Sequence, residues 1–249
     1  MRAVPVASMS ACRPRPSGTR GRIRIRRGLG GAGLFFGLAG CVSYAPVIRS
    51  DHYGAPGRME ADRVELGGGG VLGPELGGGA YVGFGLDDEV TLEGGGEYGG
   101  GPRAMGWLGL RYSPERAVGR SRGLLLDLEG GLGAGVGGSE CDDDGCSEAA
   151  ADLRRAAGGG YLGAGIGYRI AWFSPWLRTR TQLSVAASVP ATSYTSLLAG
   201  VAFNILDLAH IYVGTGGVLF ANARAQFVGW VPLNAGLSFT FGVRGRRRR

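Results

Sequence analysis

Trp176-Leu177-Arg178-Thr179-Arg180-Thr181-Gln182-Leu183-Ser184-Val185-Ala186-Ala187-Ser188-Val189 alternates in character with a period of two. Leu177, Thr179, Thr181, Leu183, Val185, Ala187 and Val189 share one face, and Arg178, Arg180, Gln182, Ser184 and Ser188 share the other. Successive side chains of a strand point to opposite sides, so the pattern predicts a strand with one face turned from water. The same pattern recurs on both sides of it. Leu124, Leu126, Leu128, Leu132 and Val136 oppose Asp127, Glu129 and glycines; Leu162, Ala164, Ile166, Tyr168, Ile170 and Trp172 oppose Gly163, Gly165, Gly167 and Arg169. Val90, Leu92 and Tyr98 oppose Thr91, Glu93 and Glu97, and Leu233, Ala235, Leu237, Phe239 and Phe241 oppose Asn234, Gly236, Ser238, Thr240 and Gly242. Only a weak helical stripe, over 148–157, interrupts the series.

Alternation alone does not say whether the apolar face meets a protein core or lipid. Three features favour lipid outside. The segments match the roughly 9–11 residues of a tilted transmembrane strand. Their polar faces carry charge at mid-segment (Glu93, Asp127, Glu129, Arg169, Arg178 and Arg180), where a soluble sandwich would charge the strand ends. Tyr98, Tyr112, Trp172, Trp176 and Phe241 lie toward segment ends, as interfacial aromatic girdles do. Candidate strands fall near 62–70, 76–85, 89–99, 104–112, 122–137, 158–172, 176–189, 194–204, 209–219 and 232–242, the first and the region 220–231 being the weakest. Over roughly 62–242 the chain resembles the small outer-membrane β-barrels of Gram-negative bacteria, and Leu237-Ser238-Phe239-Thr240-Phe241 looks like their closing-strand signal, although eight residues follow Phe241. The expected fold is all-β: one antiparallel up-and-down transmembrane barrel of 8–10 strands over residues 59–242. An even strand number puts both termini of the barrel in the periplasm, with the lipid anchor. The connection 138–157 then faces outward, 173–175 and 206–208 become short inner turns, and 113–121 is long for one.

The amino-terminal region supplies an address. Arg20, Arg22, Arg24, Arg26 and Arg27 precede an uncharged run from Gly28 to Gly40, and no acidic residue occurs before Asp51. A positive region, a short apolar core and small residues at its end make a secretory signal, here too short to span a bilayer comfortably. Residues 1–19 are surplus to it, so the true start is expected downstream of Met1. Leu38-Ala39-Gly40-Cys41 resembles the lipobox of bacterial lipoproteins. That resemblance implies a signal peptide over 1–40, acyl chains such as palmitate on Cys41, and the lipoprotein-processing and barrel-insertion machineries as partners. Val42 and Ser43 are not the aspartate that holds enteric lipoproteins at the inner membrane, which implies the outer membrane. Val42 to Arg58 lacks any period, so 41–58 reads as a tether.

Charge and cysteines fit export. The formal charge of +7 misleads, because eight of the 27 basic residues precede Cys41, leaving 19 against 20 acidic ones. Five of those 19 lie in the basic tail 243–249, which could meet anionic headgroups, so the body is acidic and nucleic-acid binding is excluded for it. Cys141 and Cys146 form an even pair in an exported chain, for which a disulfide is the default. Between them, Asp142, Asp143 and Asp144 are a weak metal candidate, lacking the spacing and closing glutamate of a calcium loop.

Inside the expected barrel, Glu93, Glu97, Asp127 and Glu129 face Arg111, Arg169, Arg178 and Arg180. Burying them favours carboxylate–guanidinium pairing into a structural network over a narrow selective pore. The glycine runs 67–70, 77–79 and 94–101 lack the lysine and strand–loop–helix context of a phosphate loop and read as close-packed strand residues, although glycines in a lumen also leave space. His52, His210, Ser193, Tyr194 and Ser196 make no evident catalytic set, and no cofactor is implied. The expected role is a lipid-anchored outer-membrane barrel serving structure, surface interaction or passage of small solutes. The alternative is a soluble periplasmic lipocalin-like binding module anchored at Cys41, and a third reading is an outer-membrane enzyme.

Overall fold

The computed structural model describes residues 45–49, 57, 59–72, 77–99, 103–114, 116–117, 122–137, 156–187, 189–205, 208–223 and 226–242. The signal, Cys41, His52, the Cys141–Cys146 loop with its three aspartates, and the basic tail lie outside them. The strands are β1 (Arg63–Leu72), β2 (Gly77–Gly85), β3 (Val90–Gly99), β4 (Arg103–Tyr112), the two-residue β5 (Arg116–Ala117), β6 (Arg122–Val136), β7 (Ala156–Ile170), β8 (Phe173–Ala186), β9 (Val189–Ile205), β10 (Ala209–Asn222) and β11 (Gln226–Gly242). Apart from β5, each pairs antiparallel with its sequence neighbours, β1 pairs with β11, and β4 pairs with β6, which closes the ring. β5 is a short addition on the start of β6, within the connection expected to be long. The molecule is therefore one closed, up-and-down barrel of ten strands, and closure leaves no sheet edge to aggregate. The region 220–231, weak by sequence, completes the β10–β11 hairpin, with Phe220 opposite Phe227 and Ala221 opposite Gln226.

The alternating faces sort as a membrane requires. Leu66, Leu108, Leu110, Leu128, Leu177, Leu183, Leu197, Val213 and Leu237 point outward and exposed, with Leu132 and Leu162 each 72% accessible. Ser, Thr, Asn, Glu, Asp and Arg of the same strands are buried in the interior. A contiguous apolar belt of this kind is not tolerated in water. An apolar-cored, lipocalin-like barrel is thereby corrected: the apolar side chains are outside. Tyr98 and Trp230 flank the belt at one end, and Tyr112, Trp172, Phe239 and Phe241 flank it at the other. Trp176, expected in that girdle, instead lies in the interior at 4% exposure, because it shares the face of Arg178 and Arg180.

Two irregularities have local causes. Between Gly214 and Gly216 the β10–β11 register shifts, Gly214 opposing Asn234 and Gly216 opposing Val231, so β11 carries an extra residue around Pro232. Proline cannot donate to a ladder and is confined to such a bulge. Ile170 pairs with Phe173, so Ala171-Trp172 is the β7–β8 turn, and 173–175, expected as a turn, belong to β8. Ala171 takes φ of 49°, a position that favours glycine.

We call the end where β1 begins and β11 finishes the near end, and the opposite one, with the β6–β7 connection, the far end.

Candidate functional site

Residues 45–49, expected as part of a tether outside the barrel, are buried within it. Ala45 lies toward the far end: its N–H donates to Thr192 Oγ1 at 3.1 Å, and the Tyr194 hydroxyl donates to its carbonyl, both early in β9. Pro46 sits beside Gly137, just past β6, where a Cβ would come within 3.1 Å of it. Val47 and Ile48 pack into different apolar clusters, and the chain bends at Ile48 and Arg49. Val47 joins Val71, Trp176, Tyr194, Leu198, Tyr212 and Val231; Ile48 joins Tyr81, Met105, Trp107, Ala157 and Tyr161. The Arg49 guanidinium reaches the middle of β6, while its backbone stays level with Gln182, the register partner of Tyr194. The Arg49 N–H donates to Gln182 Oε1 at 2.9 Å while Gln182 Nε2 donates to the Arg49 carbonyl at 2.6 Å, a reciprocal clamp from β8. Met59 then appears at the near end, its Cε lying 3.1 Å from where a Cβ on Gly83 would stand.

Arg49 is 2% exposed and is the hub of the lumen charges. It donates to Glu93 at 2.9 Å, to Glu129 at 3.1 Å and to the Tyr161 hydroxyl at 3.1 Å. Its guanidinium also stacks 3.9 Å from the centre of the Trp107 ring. From this hub the network runs to both sides. Arg111 pairs with Glu93 at 3.0 Å and with Glu65 at 3.2 Å, and Glu65 accepts from Tyr81 at 2.9 Å. Arg180 pairs with Glu129 at 2.6 Å, and Arg178 pairs with Asp127. Glu93, Asp127 and Glu129 sit on inward positions of their strands, the outward positions beside them being leucines or glycines.

The sequence-expected charges fall as follows. Glu93, Glu97, Arg111, Asp127, Glu129, Arg178 and Arg180 are buried in the lumen, while Arg169 is half-buried on the same face near the end of β7. Sequence reasoning missed Arg49, Glu65, Arg103 and the aromatic lining. Among described residues, Glu65, Glu93, Asp127 and Glu129 pair with Arg111, Arg178 and Arg180 of the wall, Glu97 and Arg103 are buried on it as well, and Arg49 supplies a further positive charge from within. Of the hydroxyls and imidazoles considered for catalysis, Tyr194 binds the buried strap 45–49, Ser196 Oγ donates to the Arg180 carbonyl at 3.5 Å, and His210 bonds Asn204 at 2.8 Å near the opposite end of β9. No group of three His, Cys, Asp or Glu suited to a metal occurs among the described residues.

Aromatic rings fill the room that lumenal glycines leave. A Cβ on Gly131 would stand 2.6 Å from the Tyr161 hydroxyl, one on Gly95 2.8 Å from the Trp107 ring, and one on Gly214 2.7 Å from the Trp176 ring.

No protein-family model and no curated protein matches the chain. Among solved structures, the N-terminal β-barrel domain of Pseudomonas aeruginosa OprF is similar over 74% of this chain and 100% of that one, at 14% identity and a TM-score of 0.36. The outer membrane protease OmpT from Escherichia coli is similar over 76% of this chain and 98% of that one, at 11% identity and a TM-score of 0.34.

Proposed function

We propose that the chain is an exported lipoprotein whose barrel spans the outer membrane and whose lumen is sealed by its own strap, residues 45–49. The observation that carries this is the pairing of an apolar outer belt with a lumen in which Arg49 bridges Glu93 and Glu129. Hydrocarbon outside demands that every backbone group be satisfied within the wall, which a closed barrel does. An occupied lumen favours a structural or surface-interaction role over a small-solute conduit. The lipobox and the absence of an aspartate after Cys41 support acylation there and outer-membrane sorting.

The test is alkaline carbonate extraction of membranes carrying Cys41→Ala. The variant is expected to stay in the pellet, held by the barrel wall. Release of a folded, soluble variant would refute the transmembrane assignment. Planar-bilayer recordings of the purified wild type are expected to show no steady conductance, and a stable open level would restore the conduit.

A further inference from the structure

The cage around Arg49 is held in shape by residues of the wall. Glu93 pairs with Arg111 at 3.0 Å and Glu129 with Arg180 at 2.6 Å, so both carboxylates are fixed without help from the strap. Trp107 and Tyr161 meet edge to face, with centroids 6.2 Å apart and planes at 88°, and make a corner. That corner lies close against the sheet because Gly95 stands under the Trp107 ring and Gly131 under the Tyr161 hydroxyl. The guanidinium fits into it on two sides, 3.9 Å from the centre of Trp107 and 5.1 Å from that of Tyr161. Its Nη2 donates to Glu93, and its Nη1 to Glu129 and to the Tyr161 hydroxyl.

Within this network the carboxylates Glu65, Glu93, Asp127 and Glu129 face the wall arginines Arg111, Arg178 and Arg180, so the wall is one positive charge short and Arg49 supplies it. Taking Arg49 away leaves each carboxylate a partner but the network a net negative charge, and buried charge without a counter-charge is costly. The sign of what the cage accepts is thereby set. Its shape sets the kind: a planar fork stacks on Trp107 and reaches two carboxylates at once, which a compact ammonium does not. Gln182 adds a reader of peptide, accepting from the Arg49 N–H at 2.9 Å and donating to its carbonyl at 2.6 Å.

We infer that the lumen contains a preformed receptor site for an arginine carried on a peptide, that Arg49 is its tethered ligand, and that the strap closes the site to guanidinium compounds in trans. The inference deepens the reading of a lumen sealed by residues 45–49 and rests on it. Sealing alone needs only volume, which a leucine or a methionine would fill. The two aromatic faces, the two prearranged carboxylates and the amide clamp on the backbone go further and select a guanidinium cation.

The test uses the full chain, wild type and Arg49→Ala, refolded into lipid vesicles with millimolar methylguanidinium present from the start, so that burial of the site does not bar the probe. Folded yield is read from migration of unheated samples, and stability from the urea midpoint. A ligand that binds only the folded state raises that midpoint with the logarithm of its concentration. The midpoint of Arg49→Ala is expected to rise with methylguanidinium while the wild type stays unmoved. Should the variant not fold without the probe, its folded yield is expected to rise in the same way. Methylammonium, of equal charge, is expected to need at least about tenfold more for the same rise, because it does not stack on Trp107. An equal effect of methylammonium leaves only charge at the site and overturns the guanidinium assignment. A rise of the same size in the wild type shows an open cage, and overturns occupancy by Arg49 together with the sealed-lumen reading. No rise in either chain overturns the receptor site, and the sealed lumen then stands by itself if Arg49→Ala is still less stable than Arg63→Ala and falls with the site if it is not.

Discussion

Arg49→Ala is the sharpest perturbation of the lumen. It removes charge-assisted hydrogen bonds to Glu93 and Glu129 at 2.9 and 3.1 Å, and the stacking 3.9 Å from the Trp107 ring centre. A hydrogen bond to a charged group contributes about 1.5–3 kcal/mol, and a desolvated cation–π contact about 2 kcal/mol. Glu93 retains Arg111 and Glu129 retains Arg180, at 3.0 and 2.6 Å, so neither carboxylate is orphaned. The loss therefore falls at the low end of the roughly 3–5 kcal/mol expected for breaking a buried pair. The assay is urea unfolding of the protein folded into lipid vesicles, followed by tryptophan fluorescence and by migration of unheated samples. Arg63→Ala is the control, since its ion pair with Glu60 at 2.8 Å is 35% and 64% exposed and is worth about 0–1 kcal/mol. If Arg49→Ala destabilises no more than Arg63→Ala, the strap is not in the lumen. A cycle of Arg49→Ala with Glu129→Gln adds a second check, with a coupling of about 0.5–3 kcal/mol expected and strict additivity counting against contact.

Leu132→Arg and Leu162→Arg, at the two most exposed leucines of the belt, are expected to destabilise the vesicle-folded barrel by about 2–4 kcal/mol, the figure for arginine at the bilayer midplane; no change would mean that water, not lipid, surrounds the wall. Gly214→Ala would place a methyl 2.7–2.8 Å from the Trp176 ring and the Ala199 carbonyl, and is expected to cost about 1–3 kcal/mol by overpacking, whereas Gly242→Ala, with nothing within 4 Å, is expected to be silent in the same unfolding measurement. Ala171→Gly is expected to stabilise the barrel by about 1 kcal/mol, because glycine takes the 49° φ of the β7–β8 turn without the left-handed penalty; an unchanged unfolding midpoint would refute that.

What could be read from the sequence followed from period-two alternation. Leu177, Leu183 and Val185 against Arg178, Arg180 and Gln182 state both the strand and the two environments of its faces. Trp176 misleads because an aromatic near a segment end looks like a girdle residue, while strand parity, which places it with Arg178, is the stronger rule. The strap was illegible for a different reason. Ala45-Pro46-Val47-Ile48-Arg49 has no strand ladder and no period; its partners Glu129, Gln182 and Thr192 stand 80 to 147 residues away. Glu65 was missed because β1 is mostly glycine beyond it, so its face could not be assigned from neighbours.

Glycine content and the strap explain each other. A barrel of about eight strands is just wide enough for its own side chains to fill. This one has ten strands, and many of its inward positions, such as Gly95, Gly131 and Gly214, bear no side chain at all. Such a wall leaves more room than Arg–carboxylate pairs occupy, and water in that room would compete for every pair. Trp107, Tyr161 and Trp176 lie over those glycines and narrow the lumen, and Val47, Ile48 and Arg49 take the space between the two aromatic walls. Substituting glycine by larger residues would close the wall and expel the strap; deleting the strap would leave Glu93 and Glu129 facing a void. The strap is therefore part of the core rather than a removable stopper, and the barrel is expected to close around it as it folds.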